Sequence, residues 1–257
     1  MSIFDHFGKD ERPFVERALE MLTLVERKQA MRLTDFLDPR QVMIFQSLAS
    51  QVQDVSVSTH GGYDGAERVR VILHPDYMSV EQDDYRLALL HVQADQRFHV
   101  LEHRDVMGAV LNVGMKREKF GDMLTDNDGC YAIVAEEVAD FVCAQVTQIH
   151  RTSVQFERKA WEEFSPPAPR FTEKTITVPS LRLDAIIGEV HNMSRAKALV
   201  PIRGGKVKVN WKVVEDPSQS LQAGDMVSMA GFGRFKVLEV AGPTRSGRIR
   251  MIVGLVT

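Results

Sequence analysis

The spacing of apolar positions divides the chain into segments. In "ERPFVERALEMLTLVERK", Phe14, Ala18, Met21, Leu22 and Val25 recur at helical intervals, and "DPRQVMIFQSLAS" predicts a second helix with Pro39 near its first turn. "DVSVSTHGGYDGAERVRVIL" then alternates, as two strands joined by a Gly-rich turn do, so residues 1–80 predict a small α/β unit. Further on, "YRLALLHVQ" and "FHVLEH" predict a strand pair joined around "ADQR", and "RDVMGAVLNVG" a helix closed by Gly114. "DMLT" and "CYAIVA" predict strands around the turn "DNDG", "EEVADFVCAQVTQI" a helix and "TSVQFE" a last strand. Counted from "FHVLE", the order is β-α-β-β-α-β, a ferredoxin-like domain over residues 81–160. RNA-binding sheets share that order with many metabolic domains, so it specifies no function by itself.

Pro166, Pro167 and Pro169 in "WEEFSPPAPRFTEK" cannot continue a helix or a central strand, and residues 161–179 read as a semi-rigid linker. Beyond it, residues 180–257 predict another domain. Ser180 is a candidate N-cap for "LRLDAIIGEV", whose Leu183, Ile186, Ile187 and Val190 form one apolar stripe that leaves Arg182 and Asp184 to the side. Ser194 is a second cap, opening "SRAKALV" with Ala196, Leu199 and Val200 expected to face inward. Gly204 and Gly205 end that helix, and "KVKVN" alternates, with Val207 and Val209 toward the core and Lys206 and Lys208 opposite. The fold class expected is therefore α+β, in three successive units.

Charge changes the picture. From residue 181 to the end there are 12 Lys+Arg against 6 Asp+Glu, a net of +6, which leaves 20 against 29 for the first 180 residues. A basic module on an acidic body points to nucleic acid or another acidic surface, although a solvated basic face would look the same. Arg195 and Lys197 add a local argument: they fall in the first turn of the second predicted helix, where the helix dipole disfavours cations by about 0.3–1 kcal/mol. A phosphate held by those side chains and the helix-start amides would reverse that cost; bending of the long chains into water is the alternative.

Other chemistries find little support. "HRD" at His103 to Asp105 resembles a kinase catalytic loop, but Val110 stands where that loop carries Asn, and neither DFG nor a Gly-rich nucleotide loop occurs. P-loop, GxGxxG, GxSxG and HExxH patterns are absent, so no cofactor and no catalytic residue is expected. His99, Glu102 and His103 straddle a predicted strand end rather than sharing a helix face, so no metal is expected there either. Cys130 and Cys143, the only cysteines, make no disulfide framework and read as buried thiols. No apolar run suffices to span a bilayer, and the acidic start "MSIFDHFGKDE" lacks a secretory n-region, so a cytoplasmic protein without a membrane partner is expected.

"RLDAII", "SRAKAL", "GGKVKVN" and "QAGDMVSM", in that order and spacing, resemble the small αL RNA-binding domain first known from small-subunit ribosomal protein four. That resemblance covers about residues 181–229 and implies an RNA face at Arg182, Ser194, Arg195, Lys197, Lys206 and Lys208. The sequence departs from the pattern twice: Trp211 stands where the turn after "VN" usually carries Gly, and Pro201 interrupts the second helix. "KDERPFVERALE", "LTDFLDPR" and "HRDVMGAVLNVGMKREKFGDML" resemble YlmH-type proteins across nearly the whole length. That resemblance implies an N-terminal part, a central RNA-binding domain and the basic module, without catalysis. Further, it implies binding of ribosomal RNA and transfer RNA on the large ribosomal subunit, in rescue or quality control of stalled translation, and a link to cell division. In the central signature Lys116, Arg117 and Lys119 follow a helix end; they could reach a phosphate backbone, or equally stabilise the C-terminal dipole of that helix. Two alternatives stay open: an RNA-modifying enzyme with an appended RNA-binding module, and a cell-division-linked interaction factor.

Overall fold

The computed structural model describes residues 7–8, 10–94, 103–125, 130–167, 171–244 and 247–256. The chain divides into two compact units, residues 1–167 and 168–257. Among the described residues, no helix is long and apolar enough to cross a membrane.

The first unit opens with α1 (Arg12–Lys28), β1 (Arg32–Leu37), α2 (Pro39–Ala49), β2 (Val55–His60) and β3 (Val69–Pro75). Strand β1 was not expected from the sequence: "RLTDFL" carries Thr34 and Phe36 on a strand with a register break, so its alternation is blurred. The antiparallel sheet runs β1-β3-β2, and α1 and α2 pack on it through Val15, Leu22, Ile44, Phe45 and Leu48. Asp38 and Gln41 form a capping box at the start of α2, with Pro39 in the first turn, which is why the helix begins there.

The same unit continues through β4 (Leu87–Ala94), α3 (His103–Asn112), β5 (Phe120–Thr125), β6 (Cys130–Ala135), α4 (Glu136–Gln145), β7 (Gln148–Ile149) and β8 (Thr152–Lys159). The antiparallel order β5-β6-β4-β8-β7 contains the ferredoxin-like arrangement, with β4 as its first strand. The strand expected at "FHVLEH" lies outside the described residues except for His103, which opens α3, and the turn "DNDG" also lies outside them. On one face of this sheet Leu90, Val92, Ala132 and Val134 pack with Val106 and Val142 from the helices. Cys130 is fully buried, whereas Cys143 is only partly so, which corrects the expectation of two buried thiols.

The opposite face is covered by the chain itself. Leu89 and Ile133 pack with Phe36 and Tyr63 from the N-terminal part and with Trp161 and Phe164 from just after β8. His91 and Tyr131 stack at 4.7 Å between ring centres, and Phe164 lies 5.2 Å from Tyr131. A Cβ at Gly62, whose φ is +95°, would come within 2.7 Å of the Trp161 ring, so glycine is required both by the backbone and by that approach. The predicted linker therefore begins too early, because Trp161–Glu163 form a 3₁₀ turn whose aromatic neighbours belong to this core.

The predicted linker also ends too late. In the second unit β9 (Phe171–Val178) is an edge strand paired with β14 along its whole length, from Phe171↔Val256 to Val178↔Ile249. Then follow α5 (Leu183–Val190), α6 (Arg195–Arg203), β10 (Val207–Val209), β11 (Lys212–Val213), β12 (Met226–Met229), β13 (Gly233–Pro243) and β14 (Ile249–Val256), in a sheet ordered β11-β10-β12-β13-β14-β9. Both helices lie on one face of that sheet. There Leu183, Ile186, Ile187 and Val190 meet Val207, Val227, Phe235, Val237 and Val253, as the stripe predicted. Lys174 of β9 donates to the Glu189 and Val190 carbonyls at 3.1 and 2.7 Å, closing the α5 C-terminus with positive charge.

Two sequence expectations here are corrected. Ser180 is not the cap of α5, which begins at Leu183 with Arg182 in the cap position. Its first amides are met instead by the loop carbonyls of Gln219 and Pro217, at 2.8 and 3.2 Å. In α6 the inward residues are Ala198 and Ile202, both fully buried; Ala196 and Val200 are exposed and Leu199 only partly buried. Capping by Ser194 fixes the helix phase, and with only nine residues the helix has room for one i, i+4 pair toward the sheet. Pro201 does not break it, since the helix runs on to Arg203.

Candidate nucleic-acid interface

The first turn of α5 holds a buried carboxylate. Asp184 is 1% exposed, set by the same helix phase that buries Leu183 and Ile187. Its Oδ1 accepts from Arg182 Nε at 3.1 Å, and Oδ2 accepts from Arg182 Nη2 at 3.0 Å and from Arg195 Nε at 2.8 Å. One carboxylate thus draws the starts of α5 and α6 together and holds two guanidiniums beside each other. The arginine side chains stay 38% and 58% exposed. Burial alone would raise the Asp184 pKa, but the hydrogen bonds and charges of Arg182 and Arg195 bring it below the usual carboxylate range.

Asp216 also acts on Arg182 and Asp184 through its charge, so the arginine pair is set against two carboxylates, and the cation that stands outside this set is Lys197, in the first turn of α6. Ser194 Oγ accepts from the Lys197 amide at 3.3 Å, so the cap occupies one of the free amides at the start of α6. Ser194, Arg195 and Lys197 are all exposed. The dipole penalty of placing Arg195 and Lys197 in a first helical turn is offset, for Arg195, by Asp184 rather than only by a partner anion.

Lys208 lies within β10, and Lys206, also exposed, immediately before it. Val207 and Val209 face the helices, so Lys208 faces away from them, and the register sets Lys208 opposite Ser228 and Ser228 opposite Arg234. Lys236 is two residues along β13 on the same outer side, across from Met226. The β10–β13 part of this outer face is basic: Lys208 on β10 and Arg234 and Lys236 on β13 lie on either side of Ser228 and Met226 of β12. Of the six predicted contacts, Arg182, Ser194, Arg195 and Lys197 therefore lie at the starts of α5 and α6, Lys208 on the outer sheet face, and Lys206 just before β10.

The β10–β11 connection at the rim of that face is a two-residue turn, Asn210-Trp211, closed by the pairing Val209↔Lys212. Both residues have left-handed backbone, φ +48° and +64°, as a type I′ turn requires. Asn210 locks it: Nδ2 donates to Asp225 Oδ1 at 2.9 Å, and Oδ1 accepts from the Met226 amide at 2.9 Å.

In the central domain the structure separates the three candidate cations. Arg117 Nη1 donates to the Phe120 carbonyl at 2.6 Å and to that of Gly121 at 3.3 Å, and burial, together with the charge of Arg68, lowers its pKa to about 10. Lys119 Nζ bridges Asp35 at 2.5 Å and Glu137 at 2.9 Å, tying β1 to α4. Both are engaged within the protein, and Arg117 shares the Phe120 carbonyl with Arg68, which donates to the Phe36 and Phe120 carbonyls at 3.0 Å each. Lys116 alone of the three is exposed.

A cleft of about 440 Å³ lies between α3 and residues 145–150. In it His150 Nε2 sits 3.0 Å from Asp105 Oδ1, but His150 is 64% exposed, and a proton carrier so open to water gains nothing from a low-dielectric site. Among the described residues, no group of three or more His, Cys, Asp or Glu side chains is placed to hold a metal ion.

Comparison with known proteins agrees with this organisation. Residues 10–78 match the N-terminal domain of YlmH, residues 80–163 the putative RNA-binding domain in YlmH, and residues 181–227 the S4 domain. The chain is 41% identical over 249 residues to ribosome-associated protein quality control protein P2 of Bacillus subtilis (strain 168), spanning 97% of this chain and 96% of that one. The chain belongs to the YlmH family. The solved structure of cell division protein ylmH from Streptococcus pneumoniae is similar at a TM-score of 0.54 and 29% identity, covering 64% of this chain and all of that one.

In this YlmH-family chain the S4 match stops at residue 227, yet the sheet continues through β13 and β14 and takes in β9 from before the match. Sequence reasoning therefore missed Arg234 and Lys236, although "GRFKVLEV" alternates Arg234 and Lys236 with the buried Phe235 and Val237 and could have revealed them. It also missed Asp184 as the anchor of the arginine pair. Only its three-dimensional neighbour Arg195, eleven positions on, gives it that role.

Proposed function

We propose that this protein is a non-catalytic RNA-binding factor of the ribosome. It engages ribosomal RNA and transfer RNA on the large subunit, in the cytoplasm, in rescue or quality control of stalled translation. The observation that carries this reading is the arginine pair on Asp184: a buried carboxylate orients Arg182 and Arg195 while leaving both partly in solvent. Fixed, forked cations beside a helix start suit phosphate oxygens, which position a protein on RNA. Lys197 extends that site, Lys208 with Arg234 and Lys236 supplies a second basic face, and Lys206 adds charge just before β10. Support for the ribosome comes from the name of the Bacillus subtilis relative, a ribosome-associated quality control protein.

The central domain contributes by a route other than the open sheet of many RNA-binding modules, because Phe36, Tyr63, Trp161 and Phe164 cover that face. Of its candidate contacts, Lys116 is the one exposed to solvent and so free to take this role. A second reading, an interaction factor of cell division, is favoured by the name of the Streptococcus pneumoniae neighbour. Co-sedimentation with purified large subunits, before and after ribonuclease treatment, separates the two. Ribonuclease-sensitive association with the large subunit is the outcome expected of the RNA-binding factor; association with division proteins but not with subunits would favour the other.

A further inference from the structure

Trp211 occupies a position that the fold would fill better with glycine. The second residue of a type I′ turn needs positive φ, which Asn and Gly accept readily and a bulky side chain does not. At φ +64° the Trp211 backbone is strained. Folding does not account for the choice. The turn is held by Asn210 through Asp225 and Met226, and by the Asn210 amide donating to the Met226 carbonyl at 2.8 Å, none of which involves the indole. Trp211 is partly buried but does not belong to the apolar core of its unit, which takes Val207, Val209 and Val214 from the same stretch of chain.

The turn that carries Trp211 is flanked along the chain by lysines. Lys212 follows it and is exposed, and Lys208, also exposed, lies two residues before the turn on the outer strand face that continues to Arg234. A large flat ring on a rigid turn, at the rim of a basic face, is the arrangement by which proteins stack an unpaired base while cations hold its phosphates. We propose that Trp211 is a stacking platform for the base of an unpaired RNA nucleotide, with Lys208 and Lys212 holding the flanking phosphates. This rests on the RNA-binding reading above and adds to it the class of RNA, single-stranded or looped rather than fully paired. It gives a function to the residue that departs from the turn's usual glycine.

The test uses the full chain, with a single-stranded RNA 12-mer of uridine or adenosine and a fully paired RNA duplex as probes. The chain has two tryptophans, so Trp161→Phe leaves Trp211 as the sole tryptophan, excited selectively over the four tyrosines at the red edge of the absorption band. Quenching of its emission is expected with the single strand and not with the duplex. Trp211→Gly should raise the melting temperature, because glycine relieves the turn, yet weaken single-strand affinity by roughly 5- to 150-fold, the range found for base–aromatic stacking. Its dependence of log affinity on log salt should keep the wild-type slope, since no phosphate contact is lost, and Trp211→Phe should retain most of the affinity. Unchanged affinity of Trp211→Gly for the single strand would overturn the proposal, as would a fall in its melting temperature alongside the affinity, which would make the indole a packing residue. Equal loss for single strand and duplex, or a loss confined to binding a protein partner, would overturn it too. In each case a flatter salt slope for Lys208→Ala would leave the RNA-binding reading standing, whereas a wild-type chain that binds neither probe nor ribosomal subunits would remove both.

Discussion

Deleting β9 should cost the basic module much of its stability. The strand pairs with β14 over eight residues and buries Ile176 and Val178, which are 5% and 0% exposed. Burying side chains of that size stabilises by about 1.5–3 kcal/mol each, so about 3–6 kcal/mol of apolar burial leaves with the strand. The entropy regained by the freed segment lowers this figure; the lost ladder hydrogen bonds and the newly exposed Met251 and Val253 raise it. Loss of Lys174 also leaves the α5 carbonyls of Glu189 and Val190 without their partner. Against a total stability of roughly 4–13 kcal/mol for a unit of this length, the deletion should remove about half or more. Urea unfolding followed by circular dichroism would compare a fragment spanning residues 168–257 with one spanning 180–257. The first should unfold cooperatively, and the second should show a much lower midpoint or no transition. Equal midpoints and slopes would mean that β9 adds nothing, and that the linker extends to residue 179 after all.

Three other outcomes are expected. Ile202→Ala should destabilise the module by about 2–5 kcal/mol, whereas Val200→Ala, at an exposed site, should stay within about 0.5 kcal/mol, both read from urea midpoints. Asp184→Asn should change the acid limb of the stability profile. The folded-state pKa of Asp184 is depressed, so its contribution is present above the unfolded value of about 4 and is lost as pH falls through the lower folded value; the variant should lack that part of the loss, and its RNA affinity should drop because both arginines lose their anchor. Arg117→Met should weaken the first unit by about 1–3 kcal/mol in thermal unfolding, through the unpaired Phe120 carbonyl, while leaving RNA affinity unchanged; a loss of affinity without loss of stability would return Arg117 to the RNA face.

The apolar stripe of α5 was legible in the sequence because four large aliphatic residues share one helix face, and β10 because its valines alternate with lysines. The phase of α6 was not. Ala196, Leu199 and Val200 and the pair Ala198 and Ile202 are both plausible stripes over nine residues, and only packing against Val207 and Val227 decides between them. Prolines marked the boundary between the units but not its extent, since Trp161 and Phe164 before them and β9 after them are held by partners far along the chain. The basic residues of α6 and β10 were visible, those of β13 were passed over, and what each one holds was not legible. Lys119 and Arg117 resemble Lys197 in sequence, yet Asp35, 84 positions away, and the Phe120 carbonyl occupy them. Long-range partners of this kind leave no local pattern.

Asp184 also changes how the interface has to be tested. Reversing charge at Arg195 would remove one partner of the buried Asp184 and set a second carboxylate beside it, confusing folding with binding. Lys197 and Lys208 are exposed and serve better. The most direct measurement is the salt dependence of affinity of the whole chain for large-subunit ribosomal RNA, for the wild type, Lys197→Ala, Lys208→Ala and the double variant, with melting temperatures recorded alongside. Log affinity should fall steeply with log salt for the wild type, each substitution should flatten the slope by about 0.7–0.9, the double variant by the sum, and melting temperatures should stay together. Four indistinguishable slopes, with undiminished affinity, would contradict the assignment of these faces to RNA.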